Sequence, residues 1–131
     1  MTVKELRLVV TADDYDEAVA FYRDALGLTE RASYSSENGR VMILEVERAT
    51  LEIADPGQAD FIDAVEVGRR VAGKYRVAFE VDDSAEATRK LAAAGASVIA
   101  EPTRTPWNSL NARLETPGGI QLTLFTELDL M

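Results

Sequence analysis

A chain of 131 residues, 47% hydrophobic and 28% charged, suits one compact globular domain; no apolar run of 18 residues is present, and MTVKELRLVV enters a strand-like alternation instead of a secretory leader, so a cytoplasmic protein is expected. Cysteine and histidine are both absent, which excludes disulfides, thiolate nucleophiles, Ser-His-Asp triads and imidazole metal ligands, and leaves only all-oxygen shells for a metal. A net charge of -9 and a pI near 4.5 repel nucleic acid phosphates and anionic membranes, so neither is an expected partner.

The first expected element is a strand, RLVVT from Arg7, which runs into the acidic pair Asp13-Asp14. Ala18, Phe21, Tyr22 and Leu26 then recur at three and four residues, the period of a helix, and Gly27 is placed to end it in a left-handed cap. TERASYS and RVMILEVE flank Glu37-Asn38-Gly39 and predict a hairpin, after which TLEIAD predicts a fourth strand. The stretch ADPGQADFIDAVEVGRRVAGK opens on Pro56-Gly57 and closes on Gly73; its middle has room for a short helix or strand, and it is read as a linker over 56–73.

KYRVAFEVDD then repeats the opening. RVAFEVDDSAEATRKL from Arg76 parallels RLVVTADDYDEAVAFY from Arg7 at an offset of 69, matching Asp82-Asp83 to Asp13-Asp14 and Glu86-Ala87 to Glu17-Ala18. A second helix follows on Ala87, Leu91 and Ala94, ended at Gly95, and then strands ASVIAEP, NARLETP and IQLTLFT, the last two joined by the Pro117-Gly118-Gly119 turn. Each half therefore reads βαβββ. The expectation is an α+β protein with module one at 3–55, the linker at 56–73 and module two at 74–126; pairing of the modules within one chain or between chains is left open.

Paired βαβββ modules, with AVAFYRDALGL after a strand and the closing ETPGGIQLTLF, resemble the vicinal oxygen chelate superfamily, which includes glyoxalase I, extradiol dioxygenases, fosfomycin-resistance enzymes and bleomycin-resistance proteins. The resemblance implies a cup-shaped mixed sheet with helices outside, and a homodimer; it does not choose an activity. In metal-dependent members, ligands on the first and last strand of each module face the cup. Those positions map here to Arg7, Glu52, Arg76 and Thr123, of which only Glu52 keeps a ligand type. A guanidinium has no lone pair to offer a metal, so no metal and no other cofactor is expected.

Alternation adds Glu80, Ala78, Val9, Thr11, Thr50, Ala54, Gln121 and Phe125 to the cup face, with Leu6, Leu8, Val10, Leu51, Ile53, Val77, Phe79, Leu122 and Leu124 under the helices. Arg7 and Arg76 about Glu52 leave one net positive charge, which suits an anionic ligand; the alternative is an ionic cluster that closes the cup with no ligand at all. Glu80 pairs with Arg76 or faces the ligand. Trp107, in RTPWNS, stacks on a ligand or covers a sheet edge or a dimer contact.

The resulting expectation is a metal-independent protein that binds a neutral or acidic organic molecule through Arg7, Glu52, Arg76, Glu80, Trp107, Thr123 and Phe125; the cationic drug bleomycin suits such a site poorly. One alternative is a lyase, isomerase or dioxygenase-like enzyme with a non-standard site, for which Glu52 is the catalytic candidate. The other is a non-catalytic structural or regulatory dimer.

Overall fold

The computed structural model describes Lys4, residues 7–50, Glu52 and residues 54–128. The chain divides into two compact units, Met1–Ile53 and Ala54–Met131. Both mix helix and sheet, as the α+β reading requires. Among the described residues no helix is long and apolar enough to cross a membrane.

In the first unit Asp14 caps α1 (Tyr15–Val19) by accepting the Glu17 N–H at 3.0 Å. The helix widens into a π-helical turn over Ala20–Ala25, where Leu26 N–H donates to the Phe21 carbonyl at 2.9 Å, and Gly27 ends it at φ +84°. The wide turn has a cause visible in the repeat. Gly27 lies thirteen residues after its N-cap Asp14, and Gly95 twelve after Asp83, so the first helix must absorb one extra residue, which a π turn does.

Strands β1 (Thr29–Ser35) and β2 (Arg40–Glu45) follow as the expected antiparallel hairpin, closed by Ser36 N–H on the Gly39 carbonyl at 2.8 Å. Phe21 is this unit's buried aromatic and meets the Tyr22 ring edge-on at 5.2 Å. Arg40 ties the hairpin back to α1, bridging to Asp16 at 3.0 Å with its guanidinium 4.3 Å from the Tyr15 ring centre.

The two outer strands expected here do not form among the described residues. Residues 7–10, and Thr50, Glu52 and Ala54, carry no strand, and Leu8 and Val10, expected under the helix, are 62% and 40% exposed. The hairpin needs only a short local closure, whereas the outer strands depend on pairing between segments some forty residues apart, and alternation cannot supply that partner. Leu6, Leu51 and Ile53 lie outside the described residues.

The second unit realises the βαβββ pattern. In chain order it holds α2 (Pro56–Glu66), β3 (Val77–Glu80), α3 (Ser84–Ala93), β4 (Ser97–Arg104), β5 (Ser109–Glu115) and β6 (Gln121–Glu127). The sheet order is β3-β6-β5-β4, with β3 parallel to β6 and the other pairs antiparallel. Asp83 caps α3 by accepting the Glu86 N–H at 3.1 Å, which repeats the Asp14 cap 69 residues earlier. Gly95 ends the helix at φ +111°, which strains any side chain, and a Cβ there would press on the Pro117 ring at 3.2 Å.

Alternation along β5 and β6 then separates two faces. Ala112, Leu114, Leu122 and Leu124 are fully buried and Leu91 of α3 nearly so, while Ser84 pins the helix by giving its hydroxyl to the Leu110 carbonyl at 2.8 Å and its N–H to Thr126 Oγ1 at 2.8 Å. Each such leucine contributes about 1.5–3 kcal/mol. The opposite face, with Asn111, Arg113, Gln121 and Thr123, is polar. The stretch read as a linker supplies its cover, since α2 packs against β4 and β5.

Candidate functional site: the polar face under α2

Asp55 caps α2 by accepting the Gln58 N–H at 2.9 Å, and Pro56 sits in the first turn, where its missing N–H costs nothing. The helix turns Ile62, Asp63 and Glu66 inward; the two carboxylates are 1% and 3% exposed. Burial of this kind demands partners, and β5 supplies them. Arg113, itself fully buried, gives Nη1 to Asp63 Oδ1 and Nη2 to Glu66 Oε1, both at 2.9 Å.

A continuous hydrogen-bonded chain extends from this triad. Asn111 Nδ2 donates to Glu66 Oε2 at 2.9 Å, Ser109 Oγ donates to Asn111 Oδ1 at 2.6 Å, and the hydroxyls of Thr105 and Ser109 meet at 2.9 Å. On the other side Arg113 Nη1 also reaches Gln121 Oε1 at 3.2 Å, and Gln121 Nε2 donates to the Val71 carbonyl at 2.7 Å. The N–H groups of Val71 and Ala72 fold back onto Asp63 Oδ2 at 2.8 and 2.7 Å. Arg113 Nε is buried with no acceptor among the described residues.

Burial pushes the Asp63 carboxyl up, but the Ala72 and Val71 N–H donors and the Arg113 guanidinium together outweigh it and hold the group below the ordinary carboxylate range. A carboxyl lowered by folding stabilises the protein above its unfolded value, about 4, and that contribution is lost as pH falls through the folded value. Asp63→Asn should therefore flatten the stability profile below about pH 4 while lowering stability at neutral pH. Urea titrations from pH 7 down to pH 3 check both, and an unchanged acid limb would contradict the assignment.

Of the residues singled out in the sequence, Arg76 and Thr123 are brought together, Arg76 Nη1 donating to Thr123 Oγ1 at 2.6 Å. Thr123 Oγ1 lies 3.5 Å from Glu66 Oε1, so Arg76 adjoins the edge of the buried triad. Glu80 and Phe125 are register partners on the same face, Glu80 exposed and Phe125 half-buried. Trp107 is 44% exposed and faces Phe61 of α2, itself 48% exposed, with ring centres 6.2 Å apart. Arg7 and Glu52 belong to the first unit, both exposed and outside any strand.

Asp63, Glu66 and Arg113 were not legible as site residues. In NARLE the apolar alternation of Leu110, Ala112 and Leu114 turns Arg113 to the polar side, and DFIDAVE lies in the stretch read as a linker, where nothing in the residue pattern separates a buried carboxylate from a solvated one. Only the structure shows that the inward stripe of Ala59, Ile62, Asp63 and Glu66 leaves Phe61 outward, so that this helix does not bury its largest apolar residue.

The sequence profile of the Glyoxalase/Bleomycin resistance protein/Dioxygenase superfamily matches residues 6–124. The chain belongs to this superfamily. Several solved structures share its fold. A glyoxalase family protein from Bacillus cereus is 18% identical with a TM-score of 0.67, the match spanning 97% of each chain. TnmS3, an antibiotic binding protein from Streptomyces sp. CB03234, is 22% identical with a TM-score of 0.63 over 97% of this chain and 98% of its own. A superfamily member from Sphaerobacter thermophilus is 21% identical with a TM-score of 0.59 over 91% of this chain and 92% of its own. No curated protein matches the chain in sequence.

Superfamily membership brings metal chemistry into question, and the donor set of the second unit does not fit it. At the two mapped ligand positions stand a guanidinium and a hydroxyl bonded to each other. Glu66, whose Oε1 lies 3.5 Å from Thr123 Oγ1, is held by Arg113, as is Asp63. Among the described residues no group of three or more His, Cys, Asp or Glu could hold a metal ion.

Proposed function

We propose that the protein binds a small organic molecule, neutral or acidic, without a metal, on the polar sheet face of its second unit. The observation that carries this reading is the half-buried guanidinium at the edge of that face: Arg76 donates to Thr123 Oγ1 at 2.6 Å, beside the Arg113 triad that Thr123 adjoins. Guanidinium groups are the side chains best suited to bidentate recognition of carboxylates and enolates. Phe125 offers an apolar surface within the same face, Glu80 its acidic rim, and the Trp107–Phe61 pair an aromatic margin. Membership of the superfamily, together with the fold shared with the antibiotic binding protein TnmS3, supports a binding role. Arg7 and Glu52 complete the proposed set on the resemblance alone, as does association into a homodimer.

The test joins elemental analysis to ligand binding. Protein purified without chelator is expected to carry no stoichiometric Mn, Fe, Zn or Ni, and a panel of neutral and acidic aromatic compounds to raise its melting temperature saturably. Arg76→Met should weaken the best compound by about tenfold, the loss of one charge-assisted hydrogen bond. Stoichiometric metal, or binding of cationic compounds that tolerates Arg76→Met and needs Glu52, would sink the reading.

A further inference from the structure

We propose that α2 is a displaceable cover, and that its Asp63 and Glu66 side chains stand in for an external carboxylate ligand on the Arg113 face. The idea rests on the binding role above and specifies its ligand class. It begins from how α2 is held. Of the three side chains the helix buries, only Ile62 is apolar, and its one large aromatic residue, Phe61, is half-exposed. The attachment is therefore mainly polar. A buried ion pair gives little net stability over its separated, solvated partners, because desolvation offsets most of the attraction.

Each contact that Glu66 makes to the sheet is one a free carboxylate can make. Arg113 Nη2 serves one oxygen at 2.9 Å, Asn111 Nδ2 the other at 2.9 Å, and Thr123 Oγ1 lies 3.5 Å from the first. The cover also uses the guanidinium incompletely. It engages Nη1 and Nη2 through two separate carboxylates and leaves Nε buried without an acceptor. An external carboxylate can take Nε–H and Nη2–H side by side, the planar bidentate match that the helix does not make. Past the C-terminal end of α2 the chain turns at Gly68, φ +91°, where nothing lies within 4 Å of the place a Cβ would take, so no neighbour packs that corner in place.

Hydrogen exchange read by mass spectrometry on the full chain, with malonate as the probe at constant ionic strength, decides it. In Asp63→Asn/Glu66→Gln, amides of 59–72 are expected to exchange at least about tenfold faster than in the natural protein, as loss of buried ion pairs implies, while β5 and β6 keep their protection. This variant should bind malonate saturably, and adding Arg113→Leu should abolish that binding. Unchanged exchange over 59–72, or protection lost across the whole second unit, makes α2 an integral part of the fold and overturns the proposal, as does malonate binding indifferent to Arg113. Should the double variant fail to fold, the natural protein decides alone: malonate must speed exchange over 59–72 selectively, and no change there refutes the cover. Continued binding of the neutral and acidic panel alongside such a failure would leave the binding role standing and remove only the cover.

Discussion

Arg113→Ala should be the most damaging single substitution in the second unit, lowering stability by about 3–5 kcal/mol in urea denaturation. The cost does not come from the attraction lost so much as from what remains. Asp63 and Glu66 would stay 1% and 3% exposed, two carboxylates without their common cation, and would have to draw in water or push α2 away. Against a total stability of about 5–15 kcal/mol for a domain of this size, that is a large share. The same physics predicts a partial reverse for a complete replacement: Asp63→Leu/Glu66→Leu/Arg113→Met removes the three charges together and should recover part of the loss, the remainder being the acceptors taken from Val71 N–H, Ala72 N–H and Asn111 Nδ2. A single-variant cost below about 1 kcal/mol, the range of exposed ion pairs, would mean the triad is solvated.

Leu124→Ala should cost about 2–5 kcal/mol, the range for deleting a buried leucine and leaving a cavity. Leu124 is fully buried on β6, the strand between β3 and β5, and pairs with Phe79 on one side and Ala112 on the other, so little around it can collapse into the space. Leu8→Ala provides the contrast. Alternation assigned Leu8 and Leu124 the same place under a helix, yet Leu8 is 62% exposed, and its truncation should change stability by no more than about 0.5 kcal/mol. Paired urea curves measure both, and equal losses would mean that the 7–10 segment is buried in solution.

These contrasts mark how far sequence reading reached. The second unit was legible strand by strand because its apolar residues alternate and its turns carry Gly and Pro where the chain reverses. The repeat carries through to single hydrogen bonds in the structure, where Asp14 and Asp83, 69 residues apart, each accept the N–H of the third residue on. Alternation put Arg76, Thr123, Glu80 and Phe125 on one face of the sheet, where Arg76 meets Thr123 and Glu80 is the register partner of Phe125. Among the described residues of the first unit, 7–10, Thr50 and Glu52 carry no strand where alternation predicts one, because alternation reports a capacity to pair and says nothing of the partner.

The sequence by itself determined the superfamily, the α+β class, the helix caps and the absence of any imidazole or thiolate donor, all properties of local pattern or composition. Only the tertiary structure decided that the polar face of the second sheet meets a helix, with Arg113 closing on Asp63 and Glu66 across 50 and 47 residues of chain. Periodicity distinguishes a polar face from an apolar one through the repeat of side-chain direction. Whether a polar face then meets water or an equally polar partner depends on contacts distant along the chain, and those are formed only when the chain has folded.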